Sequence, residues 1–278
     1  SYYLTGKVGG EPGKSGIEIA ASNVTLDLMG FALAGAPGTL DGVAVDGAGR
    51  TNITVRNGSV TGWGGDGIDL RSVPVTGGLV ESVRASSNTA RGIAVGDNFI
   101  VRDCWAYLNG IGLSCEKGCS VSRCIAQENG NDGFRAGEGC TVQDCSARDN
   151  GSEGIVAENG SLVTDCMAYQ NQSVGIIVNA RCLVHANACG LNGVGIQVAG
   201  PDCRIERNNC VSNTSTGILV EDRGSFIASN TCSGNATNWN IAAMNKCLVI
   251  NATSAPAING DSGGLSPGSS DPNANYTY

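Results

Sequence analysis

The chain has 278 residues, 42 of them glycine, with 15% charged residues, 5% aromatics and a net charge of −8. That balance is too apolar for a disordered chain and too rich in glycine for a helical one. Only four lysines occur (Lys7, Lys14, Lys117, Lys246) and no basic run, so nothing is present to neutralise a phosphate backbone, and no window of 18 apolar residues could span a membrane.

The first segment, "SYYLTG", opens without Met or a signal peptide, which reads as a mature or trimmed product. Downstream, glycine followed by an apolar residue sets a metre: Gly16-Ile17, Gly42-Val43, Gly67-Ile68, Gly92-Ile93, Gly112-Leu113, Gly133-Phe134, Gly154-Ile155, Gly175-Ile176, Gly195-Ile196 and Gly217-Ile218, with a degenerate copy at Asn240-Ile241. A recurrence every 20 to 26 residues predicts a solenoid. Inside each copy the period is two. "GIVAENGSLVTDCMAYQN" predicts short strands at 155–157, 162–164 and 166–168, separated by Gly, Asn, Asp and Ser. Three strands per coil make a parallel β-helix, all-β and single-domain, of about ten to eleven coils over residues 1–251.

Stacking places equivalent residues in columns. Cys104, Cys124, Cys145 and Cys166 form one interior column beside Ala106, Ala126, Ala147 and Ala168, which Cys189, Cys210 and Cys232 continue. Asn88, Asn109, Asn129, Asn150, Asn171, Asn192 and Asn213 predict an asparagine ladder that satisfies turn backbone. The 13 cysteines are an odd number, so at least one is unpaired within the chain. Free buried thiols are expected, with Cys104–Cys124, Cys119–Cys140 and Cys182–Cys203 the pairs close enough to bridge. "CEKGC" (Cys115, Cys119) lacks a second pair or a nearby His, which argues against zinc.

These repeats resemble the right-handed parallel β-helix repeats of the pectin-lyase-like superfamily, closest to the NosD-like, carbohydrate-associated type with "N-x-x-x-G-I" signatures. The resemblance covers roughly residues 1–250 and implies activity, where there is any, on the outer face of the first strand. The glycosidase motifs of paired aspartates and Gly-His-Gly are absent, as is the epimerase-type Asp-Pro-His. What remains is a group of carboxylates in the second and third coils. Asp41 and Asp66 precede the first strand, Asp46 and Asp69 lie on it, and Arg71 stands beside them. Together the four aspartates could hold Ca²⁺. The resemblance then implies that Asp69 and Arg71 act as in a polyuronate lyase. The bland reading is a row of solvated loop acids.

Trp63, in the loop "TGWGGD", and Trp105 with Tyr107, on a third strand, are candidates for stacking on sugar rings. Val156, Ile177 and Leu219 predict an apolar stripe on the outer face of the first strand, fit for a contact surface. Residues 252–278 break the period and read as a Gly/Ser/Pro-rich tail ending in strand-like "NYTY", with Tyr276 and Tyr278 as interface candidates. Three functions stay open: a secreted structural or adhesive rod that assembles end to end, a Ca²⁺-assisted polysaccharide enzyme, and a polysaccharide-binding module. The expected partner is accordingly a second copy of the chain or a polysaccharide.

Overall fold

The computed structural model describes residues 1–71, 75–247, 249–251 and 274–277. Every strand pairing among them is parallel, and each coil lies one register step above the next. Eleven strands, from Ile17–Ile19 to Thr237–Ile241, stack as the first sheet. The second and third strands of each coil form a larger bent sheet. In two early coils single strands, Arg50–Thr61 and Val75–Ser86, run through the corner between them. The predicted strands of one coil are found at Ile155–Ala157, Leu162–Thr164 and Met167–Tyr169. The third begins one residue late because Asp165, in the left-handed region, turns the corner just before Cys166.

The columns are in the expected register. Val101, Val121, Val142, Val163 and Val184 align across consecutive coils, as do Ala106, Ala126, Ala147, Ala168, Cys189, Cys210 and Cys232. All are buried. Corners are made by single left-handed residues such as Asp103, Arg123, Asp144 and Asp165, with φ between 51° and 56°. One such residue redirects the chain without lengthening the coil.

The asparagine ladder explains the repeated text. Asn150 Nδ2 donates to Asn171 Oδ1 at 2.8 Å and to Ala126 O at 3.2 Å, while its Oδ1 accepts from the Asn129 backbone N–H and amide. Asn88, Asn109, Asn129 and Asn171 do the same on their own levels. From Gly67 to Gly217 the glycine at the start of the first strand packs against this ladder. A Cβ on Gly154 would lie 2.7 Å from Asn171 Nδ2 and 2.5 Å from Gly175 O. Gly-Ile therefore follows Asn because the amide occupies the space that any side chain would need.

A second ladder, which sequence reasoning missed, continues the column of Cys104, Cys124, Cys145 and Cys166. Asn187, Asn208, Asn230 and Asn275 succeed them, each amide bonded to the next. Asn275 belongs to the strand Asn275–Thr277 from the tail, which pairs in parallel with Thr231–Ser233 and Val249–Asn251. Tyr276, expected at an interface between copies, thus lies half-buried in a strand that closes its own rod. Residues 252–273 and Tyr278 lie outside the described residues.

Candidate functional site

The outer face of the first sheet carries three columns. The middle one reads Glu18, Ala44, Asp69, Ala94, Ser114, Arg135, Val156, Ile177, Gln197 and Leu219. Val156, Ile177 and Leu219 do form a stack, interrupted by Gln197 and half-buried throughout. Asp46 is a correction: the register neighbour of Asp69 is Ala44, and Asp46 stands exposed beyond the end of the strand Val43–Val45.

Asp41, Asp66 and Asp69 do come near one another. Asp41 Oδ1 accepts the Asp66 backbone N–H at 2.7 Å, and Asp66 Oδ1 accepts that of Arg91 at 2.7 Å. Asp69 Oδ1 accepts the Arg71 N–H at 2.9 Å. Each carboxylate therefore secures the backbone with one oxygen. Burial raises the Asp41 and Asp66 carboxyls above the usual range, and the charge of Asp69 adds to it. Among the described residues no three carboxylates bring ligand oxygens within 4.8 Å of one another. The four aspartates thus do not converge as a closed Ca²⁺ cage. Arg71 reaches Glu116 at 3.4 Å, and the two line a cleft of about 250 Å³ with Val75, Thr76, Gly96 and Asp97.

Two coils further on, Asp132 and Glu153 form a pair that the sequence did not single out. Burial and the hydrogen bond with Glu153 raise the Asp132 carboxyl. Burial opposes ionisation of Glu153 too, but bonds from Asp132, Ser152 and Ser173 hold its carboxyl low. The two environments therefore push the carboxyls in opposite directions, Asp132 up and Glu153 down, with Arg135 paired to Asp132.

The aromatic candidates separate. Trp63 is a correction: it is 1% exposed, its indole N–H donating to Leu33 O at 3.3 Å. A Cβ on Gly10 or Gly16 would strike its ring at 2.9 or 2.6 Å, so glycines of the first coils make the pocket that swallows it. Trp105 is 39% exposed on the third strand of its coil, its ring centroid 5.8 Å from that of Tyr107 and tilted by 41°. The Arg84 guanidinium lies over the indole at 5.9 Å. Beside it opens a cleft of about 350 Å³ lined by Ser82, Arg84, Asp103, Trp105, Arg123 and Ile125. Arg123 grips Asp103 with two bonds of 2.8 and 2.9 Å. An exposed aromatic beside fixed polar groups is the arrangement that holds a sugar ring by its face and its hydroxyls. The signal was Trp-x-Tyr on an alternating strand, both residues pointing outward.

A family model described as a right-handed beta helix region matches residues 41–188. No curated protein matches the chain by sequence. Among solved structures, the chain is similar to the A-module of Azotobacter vinelandii mannuronan C-5 epimerase AlgE4 (TM-score 0.69, 15% identity, 84% of this chain and 78% of that one). It is also similar to pectate lyase Pel9A (0.56, 16%, 74% and 64%) and to the Dettilon tailspike protein (0.59, 16%, 84% and 55%). At these identities the likeness is one of fold.

Proposed function

The chain belongs to the right-handed β-helix family, and from that premise we propose that it is an extracellular or cell-surface rod that binds polysaccharide, with an adhesive role. The observation that carries this reading is the Trp105–Tyr107 pair beside the cleft of Arg84, Asp103 and Arg123. Neighbouring structures named as a mannuronan C-5 epimerase, a pectate lyase and a tailspike support a saccharide as the ligand class. Because coils repeat along the axis, a polymer laid across the stacked third strands meets further side chains at each step. Ile125, Met167 and Tyr169 are exposed there. Affinity electrophoresis through a panel of neutral and acidic polysaccharides tests it. At least one polymer should retard the protein, and Trp105→Ala should remove the retardation.

A second reading, processing of the same polymer, is favoured by the Asp132–Glu153 pair with Arg135 on the first sheet. Two neighbouring carboxyls whose surroundings push their acidities apart are the elements of proton transfer at a carbon next to a carboxylate. Formation of unsaturated uronate products, lost in Glu153→Gln, would favour it over binding alone. Assembly end to end would have to use the other end of the rod, where exposed Tyr2 and Tyr3 border a cavity of about 470 Å³.

A further inference from the structure

All 13 cysteines are free thiols, and most stack singly along columns. One group departs from that pattern. Cys115, Cys119 and Cys140 bring their sulfurs within 4.8 Å of one another, with Cys115 Sγ 4.0 Å from Cys140 Sγ. All three are buried, at 4%, 2% and 1% exposure. The triangle arises where two columns meet. Cys119 and Cys140 occupy the corner before the second strand, in line with Phe99 above and Ser161 below. Cys115 ends the first-sheet strand Ile111–Cys115, at a register position held by Val95 and Ala136 in the adjacent coils. The other corner pair, Cys182 and Cys203, faces Val178 and Val198 at that position and stays a pair. One sulfur at residue 115 therefore converts a stacked pair into a three-donor cluster.

We propose that Cys115, Cys119 and Cys140 form a binding site for a soft, thiophilic d¹⁰ ion, with Cu(I) its best fit. An equilateral triangle of sulfurs with the 4.0 Å edge seen between Cys115 and Cys140 has its centre about 2.3 Å from each corner, which is a normal metal–thiolate distance. The three sulfurs surround that centre without a fourth side-chain donor in the group, as planar three-coordination requires and tetrahedral Zn²⁺ does not. Backbone donors already favour negative sulfur. The Phe99 N–H points at Cys119 Sγ and the Cys119 N–H at Cys140 Sγ, each at 3.3 Å. Thiols ligate as thiolates, so entry of the ion releases protons and binding tightens as pH rises.

The sulfurs lie close beneath a cleft. Gly96 O and Glu116 O, which accept from Cys119 Sγ at 3.1 Å and Cys140 Sγ at 3.0 Å, belong to residues lining the cleft beside Arg71. Asp97 and Glu116 line the same cleft and attract a cation to it.

The test is an anaerobic titration of the reduced full chain with Cu(I) against a chromophoric Cu(I) chelator, with X-ray absorption on the product. One tightly held equivalent with three sulfur scatterers is expected. Cys115→Val, which restores the residue of the preceding coil, should weaken binding by more than the ~10–100-fold typical of outer-shell changes. Cys203→Ser, in the pair without a third sulfur, should leave it unchanged. Thermal melts establish that both variants fold; if Cys115→Val does not, Cys140→Ser replaces it, since Ser161 already occupies that column. Binding by Cys115→Val equal to the parent, equal loss in Cys203→Ser, no uptake at all, or displacement of Cu(I) by equimolar Zn²⁺ would each overturn the proposal.

Discussion

The backbone N–H of Cys166 donates to the side-chain oxygen of Asn187 at 2.9 Å, and at that step an interior column changes from thiols to amides. Both residue types serve one carbonyl position. Cys166 Sγ approaches Val142 O at 3.5 Å, and one coil later Asn187 Nδ2 reaches Val163 O at 3.0 Å. The thiol is a weak donor and the amide a strong one, so early coils satisfy the corner loosely and late coils firmly. Asn187→Ala leaves the Cys166 N–H buried without a partner and removes one donor from Val163 O, at about 1–3 kcal/mol for the orphaned N–H. Urea denaturation should show that loss, whereas Cys166→Asn, which extends the ladder by one rung, should be neutral or stabilising.

Trp63→Ala empties a glycine-walled pocket in the core. The expected destabilisation is about 3–5 kcal/mol, read as a fall in the urea midpoint. Polysaccharide retention by the folded fraction should not change, because the indole reaches no surface.

The Asp132–Glu153 pair sets a pH dependence whose sign can be worked out. A carboxyl raised in the folded state, as in Asp132, favours folding below its unfolded value of about 3.9 and loses that contribution as pH rises through its folded value. Glu153, held low, contributes above about 4.3 and loses that contribution as pH falls through its folded value. Asp132→Asn keeps a hydrogen-bond donor but cannot ionise. Thermal melts across pH should therefore show the parent losing stability above about pH 4 relative to this variant.

Asn275 ends the second ladder, donating to Ile227 O at 2.9 Å and accepting from the Asn230 N–H at 2.9 Å. Asn275→Ala should lower the unfolding midpoint, and hydrogen exchange should quicken first in Thr231–Ser233, the strand it covers. Exchange that quickens evenly along the rod would contradict this local effect.

The fold was legible because its determinants repeat. Gly154, Asn171 and Ile176 recur with one spacing, and each has a single spatial reason. The second ladder was hidden because Asn187, Asn208 and Asn230 keep the spacing of the cysteines while changing the chemistry. Trp63 misled because its neighbours "TGWGGD" look like an exposed loop, and the glycines that receive it lie one and two coils away. Asp46 was misplaced by two register positions, which no local pattern reveals. Asp132–Glu153 and the sulfur triangle were invisible for a shared reason: each joins residues of different coils, so neither has a motif along the chain.

The central claim is that the rod binds polysaccharide through Trp105 and the cleft beside it. The most direct measurement is affinity electrophoresis of the parent, Trp105→Ala and Arg71→Met through the polysaccharide panel. The account predicts retardation of the parent and of Arg71→Met by at least one polymer, lost in Trp105→Ala. Free migration of the parent through every polymer would contradict it, as would retention that Trp105→Ala leaves intact and Arg71→Met removes.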